Sequence, residues 1–406
     1  MTAALRPASI AVAGLVALAV AMGIGRFAFT PILPMMLAEG AVDLPGASLL
    51  ASANYLGYLI GALACTFQPW LWRRLGSSTS VDGPALVRTG LVATVLLTLG
   101  MALHWPAAWV WLRFLAGVAS AVVFLYTTGW CLEQLARRQV PAMGALIYIG
   151  PGAGILASGL AASGLVVMQA NAAAAWLAFG LLAAALTAAV RRTFGAGDPR
   201  PVVAANATAA APLPAAADGT AMALLALAYG LAGIGYIVTA TFLPVIARQA
   251  LPGSAWLDLF WPLFGAGVMA GAFLASRIRG AGDLRLRLAA CYAVQAAGVA
   301  ASLVSPTLAG FAIGSLLLGL PFTAITFFAM QEVRRLQPLR ATSFMGLLTA
   351  MYGLGQIAGP PLAAWLVTRS ASAAAGFQLS LWIATGALLA GAGLYLWLAK
   401  RYPVAN

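Results

Sequence analysis

The feature that most constrains this chain is a series of twelve apolar stretches, each of about 20 residues or more, long enough as a helix to cross a ~30 Å hydrocarbon core. They lie near 10–37, 48–70, 84–103, 107–132, 140–168 and 171–190. After a gap they resume near 221–247, 256–278, 284–304, 306–332, 341–368 and 376–399. In lipid every backbone N–H needs a partner within its own segment, so these runs are read as helices. Only 8% of the 406 residues are charged, against roughly a quarter in soluble domains. The first run has a leader-like start over 10–20, but it continues unbroken to Leu37 and is read as a retained span. The expected fold is an all-α integral membrane protein with twelve transmembrane helices in two pseudo-symmetric six-helix halves. The halves are residues 1–192 and 221–406, joined by a cytoplasmic linker over 193–220 that is rich in Ala and Pro.

The basic residues set the orientation. Twelve spans put both termini and the even-to-odd loops on one side, and eighteen Lys and Arg residues fall there against Arg248 and Arg369 opposite. The positive-inside rule makes that side cytoplasmic, which places the chain in a cytoplasmic, that is inner, membrane. The net charge of +13 is then a topology signal with attraction to anionic lipid. Arginines spread over short loops do not make a nucleic-acid surface.

Within the first span, Gly23–Pro34 reads GIGRFAFTPILP, and 210 residues later Gly233–Pro244 reads GIGYIVTATFLP. Gly57 and Gly61 recur as Gly267 and Gly271 at the same offset, and Gly144, Gly150 and Pro151 as Gly353, Gly359 and Pro360 at 209. The repeats indicate an internal duplication, as in membrane carriers built from two halves. Small residues four apart let helices approach closely. The halves differ at one telling place, where Arg26 is answered by Tyr236.

These motifs resemble the major facilitator superfamily over the whole chain. Arg113-Phe-Leu-Ala-Gly117 is similar to its fourth-helix motif, and Gly150-Pro151-Gly152-Ala-Gly154 to the fifth-helix motif associated there with antiporters. Arg73-Arg74-Leu75-Gly76 fits the loop after the second helix, except that Arg73 replaces the usual aspartate of the gating charge pair. The opening GIGRF-x-x-TP-x-L-P with Asn54-Tyr55-x-Gly57-Tyr58 resembles the YbfB/YjiJ branch. The resemblance implies a secondary transporter whose halves rock about a midplane site lined by helices 1, 4, 7 and 10. It also implies gating roles for Arg74, Gly150 and Pro151.

An arginine in mid-span costs about 2.5–3.5 kcal/mol on insertion scales and marks function by default. Arg26 and Arg113 both fall in the outer half of the membrane and are expected to contact substrate; the alternative is that they bond backbone carbonyls at kinks near Pro31 and Pro34. Asn54 and Tyr58 share a helix face, as do Tyr352 and Gln356. With Tyr236, Thr323 and Thr326 they complete the expected lining. Glu133 and Glu332, beside Arg137 and Arg334, read as inner-gate salt bridges, with proton carriage second. All nine acidic residues lie at span ends or in loops, so the cargo is expected to be a small organic anion gripped by a guanidinium fork. A coupling proton would ride with the anion or use those two glutamates. A proton-coupled multidrug or metabolite exporter is the alternative. An intramembrane enzyme is disfavoured, as one histidine and no mid-span carboxylate leave no nucleophile–base pair, and a passive channel, also disfavoured, would be told from a carrier by the absence of saturable flux with counterflow. The single lysine, Lys400, excludes a phosphate-binding Gly-Lys-Ser/Thr loop. His104 and three scattered cysteines offer no metal set. No cofactor is expected, the lipid bilayer is the environment, and a monomer is the expected state.

Overall fold

The computed structural model describes residues 5–74, 82–195, 219–254, 256–278, 282–337 and 341–403, without the side chains of Pro69, Arg73 and Thr342. Their helices start where the sequence supplies caps or prolines. Asp82, Asn171, Asp283, Thr307 and Ser372 each accept a first-turn N–H through the side chain, an arrangement worth about 1 kcal/mol per helix. Pro7 and Pro106 open their helices at positions where a missing N–H costs nothing.

In chain order the helices are α1 Pro7–Leu18, α2 Phe29–Ala38, α3 Leu44–Arg74, α4 Gly83–Gly100, α5 Pro106–Arg137, α6 Gly150–Val167 and α7 Ala172–Val190. The chain continues with α8 Gly219–Ala250, α9 Phe260–Arg277, α10 Leu284–Val304, α11 Leu308–Gly319, α12 Phe322–Leu336, α13 Ala341–Arg369 and α14 Ala373–Arg401. Three expected spans are not single α-helices. The first passes from α1 through a π-helical turn, Ala19–Ile24, and a bend over 25–28 into α2. The fifth starts as a 3₁₀ segment, Pro141–Ile149. The tenth breaks between α11 and α12 at Pro321, which has no N–H to give. Eleven helices among the described residues are long and apolar enough to cross a membrane. The exception is the expected eleventh span, α13, which is 29 residues long but diluted by Tyr352, Gln356, Pro360, Pro361 and four glycines.

The chain divides into two units, one from Met1–Ala41 and Ala53–Ala209, the other from Val42–Ser52 and Ala210–Asn406. In the first, α1 packs on α5 and α6 on the π-helical turn; in the second, α8 packs on α13 and α14. The repeated glycines on α3 and α9 also make very close contacts. A methyl group on Gly57 would lie 1.9 Å from the Phe114 carbonyl oxygen, and one on Gly271 1.7 Å from that of Leu320. Gly117 abuts the Asn54 carbonyl as Gly319 abuts that of Phe264. Lipid gives no hydrophobic drive between helices, so this backbone proximity is what holds them.

Those contacts also correct the register of the repeat. Asn54 and Phe264 are 210 residues apart, but the glycines that meet them, Gly117 and Gly319, are 202 apart. The 209-residue match of Gly150 with Gly359 has no packing counterpart: Gly150 meets Leu15, whereas Gly359 meets Ile237. Gly154 and Gly355 take the equivalent places, against Gly23 and Gly233.

Candidate functional site

Arg26 lies in the bend between the π-helical turn and α2, and it is 3% exposed. Its guanidinium carbon is 4.0 Å from the centre of the Tyr58 ring and 5.3 Å from those of Tyr55 and Phe27. Tyr55 and Tyr58 are three apart on α3 and so present their rings together. Aromatic faces attract the flat cation and fix its plane without cancelling its charge.

Arg113, on α5, has a different task. One terminal nitrogen donates to the Gly25 carbonyl at 3.1 Å and the other to the Arg26 carbonyl at 2.9 Å. The backbone around Arg26 is thereby held open by the very side chain that was expected beside it in the lining. The kink-bonded arrangement weighed for both arginines describes Arg113. Asn54 supports it in turn, donating to the Arg113 carbonyl at 2.9 Å. Ser120 donates to the carbonyl of Ala21, inside the π-helical turn, at 2.7 Å. Buried carbonyls turned out of a helix need such donors, and each left unmet costs about 1–3 kcal/mol.

The second unit brings Tyr236, Tyr352, Gln356 and Thr326 together. Gln356 donates to the Tyr236 hydroxyl. Tyr236 stacks on Tyr352 with centres 5.8 Å apart, and Tyr352 on Tyr229 at 4.8 Å. The Tyr229 hydroxyl donates to Thr326 at 3.0 Å, and Phe322 meets Tyr236 edge-on. The Thr323 hydroxyl is buried with no hydrogen-bond partner among the described residues. Sequence reasoning missed Tyr229 and Phe322; Tyr229, seven residues before Tyr236 on one helix face, was the available signal.

The charged helix ends differ between units. Glu133 pairs with Arg137 one turn along α5. Glu332 is fully buried and is held by Arg335 at 2.6 Å and by Arg285 at 3.5 Å, not by Arg334 as expected. Arg285 also pairs with Asp283 at 2.7 Å and donates to the Leu398 carbonyl at 3.0 Å, tying the start of α10 to the ends of α12 and α14. Partial burial pushes the Asp283 carboxyl up. Hydrogen bonds from the Arg285 side chain and backbone, with the charges of Arg285 and Arg335, outweigh it and hold the carboxyl below its ordinary value. Arg74 stacks on Trp70 at 5.2 Å; Leu75 and Gly76 of its motif lie outside the described residues, as does most of the linker. Gly150 and Pro151 are buried at the head of α6, Gly150 against Leu15 and Leu18. Among the described residues no His, Cys, Asp and Glu cluster could hold a metal ion.

A family model described as the uncharacterised MFS-type transporter YbfB matches residues 18–396. The chain belongs to that family of the major facilitator superfamily. It is thus a multi-pass membrane protein, and its family and fold are those of transporters rather than enzymes. No curated protein matches it. Among solved structures it is similar to the nucleoside transporter NupG, with a TM-score of 0.65 and 15% identity over 97% of this chain and 99% of that one. A point mutant of NupG gives 0.69. The human organic anion transporter MFSD10 (TETRAN) gives 0.62 at 14% identity over 97% of this chain and 100% of that one. At these identities the likeness speaks for the fold alone.

Proposed function

We propose that this YbfB-type protein is a secondary active transporter that moves a small organic anion across the cytoplasmic membrane by alternating access. It would act as a monomer of two six-helix halves, 1–192 and 221–406, with both termini cytoplasmic. The observation that carries the reading is the charge balance of the first unit. Two guanidinium groups, Arg26 and Arg113, are buried there at 3% and 2% exposure, while Glu39, Asp82 and Glu133 all lie at helix ends. An interior with that excess favours a carboxylate, which a guanidinium fork can grip through two hydrogen bonds. Arg26 is the gripping residue and Arg113 the residue that positions it. The aromatic surround of Arg26 suits a cargo with an apolar or ring-bearing body.

Reconstituted protein should take up ring-bearing carboxylates saturably, with mutual competition. Saturable uptake of lipophilic cations, indifferent to Arg26→Ala and to organic acids, would replace this reading with a multidrug exporter.

A further inference from the structure

We infer that the first unit binds a single halide ion between Arg113 on α5 and Trp176 on α7. The site is separate from the one proposed for the cargo and does not depend on the organic-anion reading.

Arg113 commits its two terminal nitrogens to the Gly25 and Arg26 carbonyls. Its remaining donor, the Nε–H, has no hydrogen-bond acceptor among the described residues, and neither has the indole N–H of Trp176. Both residues are only 2% exposed. They are also neighbours. The guanidinium carbon lies 6.0 Å from the centre of the Trp176 ring and 5.1 Å from that of Phe29 on α2. One accepting atom about 3 Å from each nitrogen can span such a gap. Buried donors are matched in the great majority of cases. Two unmatched donors side by side, one of them cationic, therefore point to an acceptor that the chain does not itself supply.

The surroundings decide what kind of acceptor fits. Three and four residues to either side of the two donors, α5 and α7 carry alanine, glycine, valine, phenylalanine and Trp109, whose own N–H goes to the Leu103 carbonyl at 3.1 Å. None of those side chains accepts a hydrogen bond. A water would satisfy both donors but bring two O–H groups of its own into that apolar surround. A halide accepts from both nitrogens, donates nothing, and answers the guanidinium charge. Space favours a monatomic ion over an organic one. A methyl group on Gly117 would lie 2.0 Å from the Asn54 carbonyl oxygen, and one on Gly180 2.3 Å from the Leu99 side chain, so both helices are closely packed beside the pair. The ion would join α7 to the residue that holds the break in the first span, and halide should stabilise the fold through that link.

The test uses full-length protein in detergent, with sodium bromide or chloride replacing sodium gluconate at constant sodium. Either halide should raise the melting temperature saturably. Trp176→Phe keeps a ring and loses the N–H, so its half-saturating bromide concentration should rise at least about tenfold, as expected for one lost hydrogen bond to a charged acceptor. Trp130→Phe removes another buried, unmatched indole N–H on α5 and should respond to bromide as wild type does. A melting temperature without a saturable halide response would overturn the inference, and so would a response that Trp176→Phe leaves unchanged. Should Trp176→Phe not fold, anomalous scattering from wild-type crystals grown in bromide reads the site directly. A peak beside Arg113 Nε and Trp176 Nε1 supports the inference, and its absence there contradicts it.

Discussion

Gly23–Pro34 and Gly233–Pro244 begin from one motif and end as different structures. The first is broken into a π-helical turn, a bend and α2; the second runs straight through α8. Two substitutions account for the difference. Pro31 is matched by Thr241, so the second copy keeps the N–H that the first lacks. Arg113, which holds the Gly25 and Arg26 carbonyls in the first unit, is matched 202 residues on by Ser315, which only donates to Phe311 in its own helix. The broken copy carries a buried cation between rings, and the unbroken copy carries a tyrosine in a ring stack. The two copies keep matching close glycine contacts, and only the first sets a buried cation between aromatic rings.

The comparison can be broken most severely at Arg113. Arg113→Ala leaves two buried carbonyls without donors, at about 1–3 kcal/mol each, and should lower the melting temperature and abolish transport. Arg113→Lys should recover part of the stability, as it can reach one carbonyl. Importing the break into the second copy is the next test. Thr241→Pro should destabilise α8 by about 3 kcal/mol or more, whereas a proline already occupies the matching place in the first span. Thermal unfolding in detergent would show whether α8 tolerates it.

The shared contacts should respond alike. Gly57→Leu and Gly271→Leu overpack equivalent places by about 1–3 kcal/mol each and should both stop transport. Gly164→Leu and Gly386→Leu meet open space and should leave transport unchanged. Unequal effects of the first pair would show that only one half needs close helix approach. The smallest expected effect distinguishes the helix ends. The Asp283 carboxyl is held below its ordinary value of 3.8, so its stabilising contribution is complete above that pH and fades as pH falls below it. Asp283→Asn should flatten that acid limb of the melting curve, whereas the part-exposed Glu133–Arg137 pair at the end of α5 contributes little to stability.

Much of this was legible in the sequence. Arg26, the GIG motif and the Gly57 and Gly271 pairs stand out because charge in lipid and small residues at fixed spacing each have one strong physical meaning. The pairing of Glu332 with Arg335 and Arg285 rather than Arg334 was not legible, because adjacent arginines differ only in the helix face they reach. Nor was the role of Arg113. A buried arginine reads the same whether it serves a ligand or a turned-out carbonyl, and only the break in the first span decides between them. The shift in repeat offset from 210 to 202 was hidden because glycines are common enough to match at 209 by chance.

The central claim is that Arg26, fixed by the broken helix, is the group that binds the anion. The most direct measurement is the melting-temperature shift produced by p-aminohippurate and related carboxylates on wild type, Arg26→Lys and Arg26→Gln, each shown to be helical and monodisperse. Wild type should be stabilised in a concentration-dependent way. Arg26→Lys, which keeps the charge and loses the fork, should bind about tenfold more weakly, and Arg26→Gln should not respond. An unaltered shift in Arg26→Gln would contradict the account.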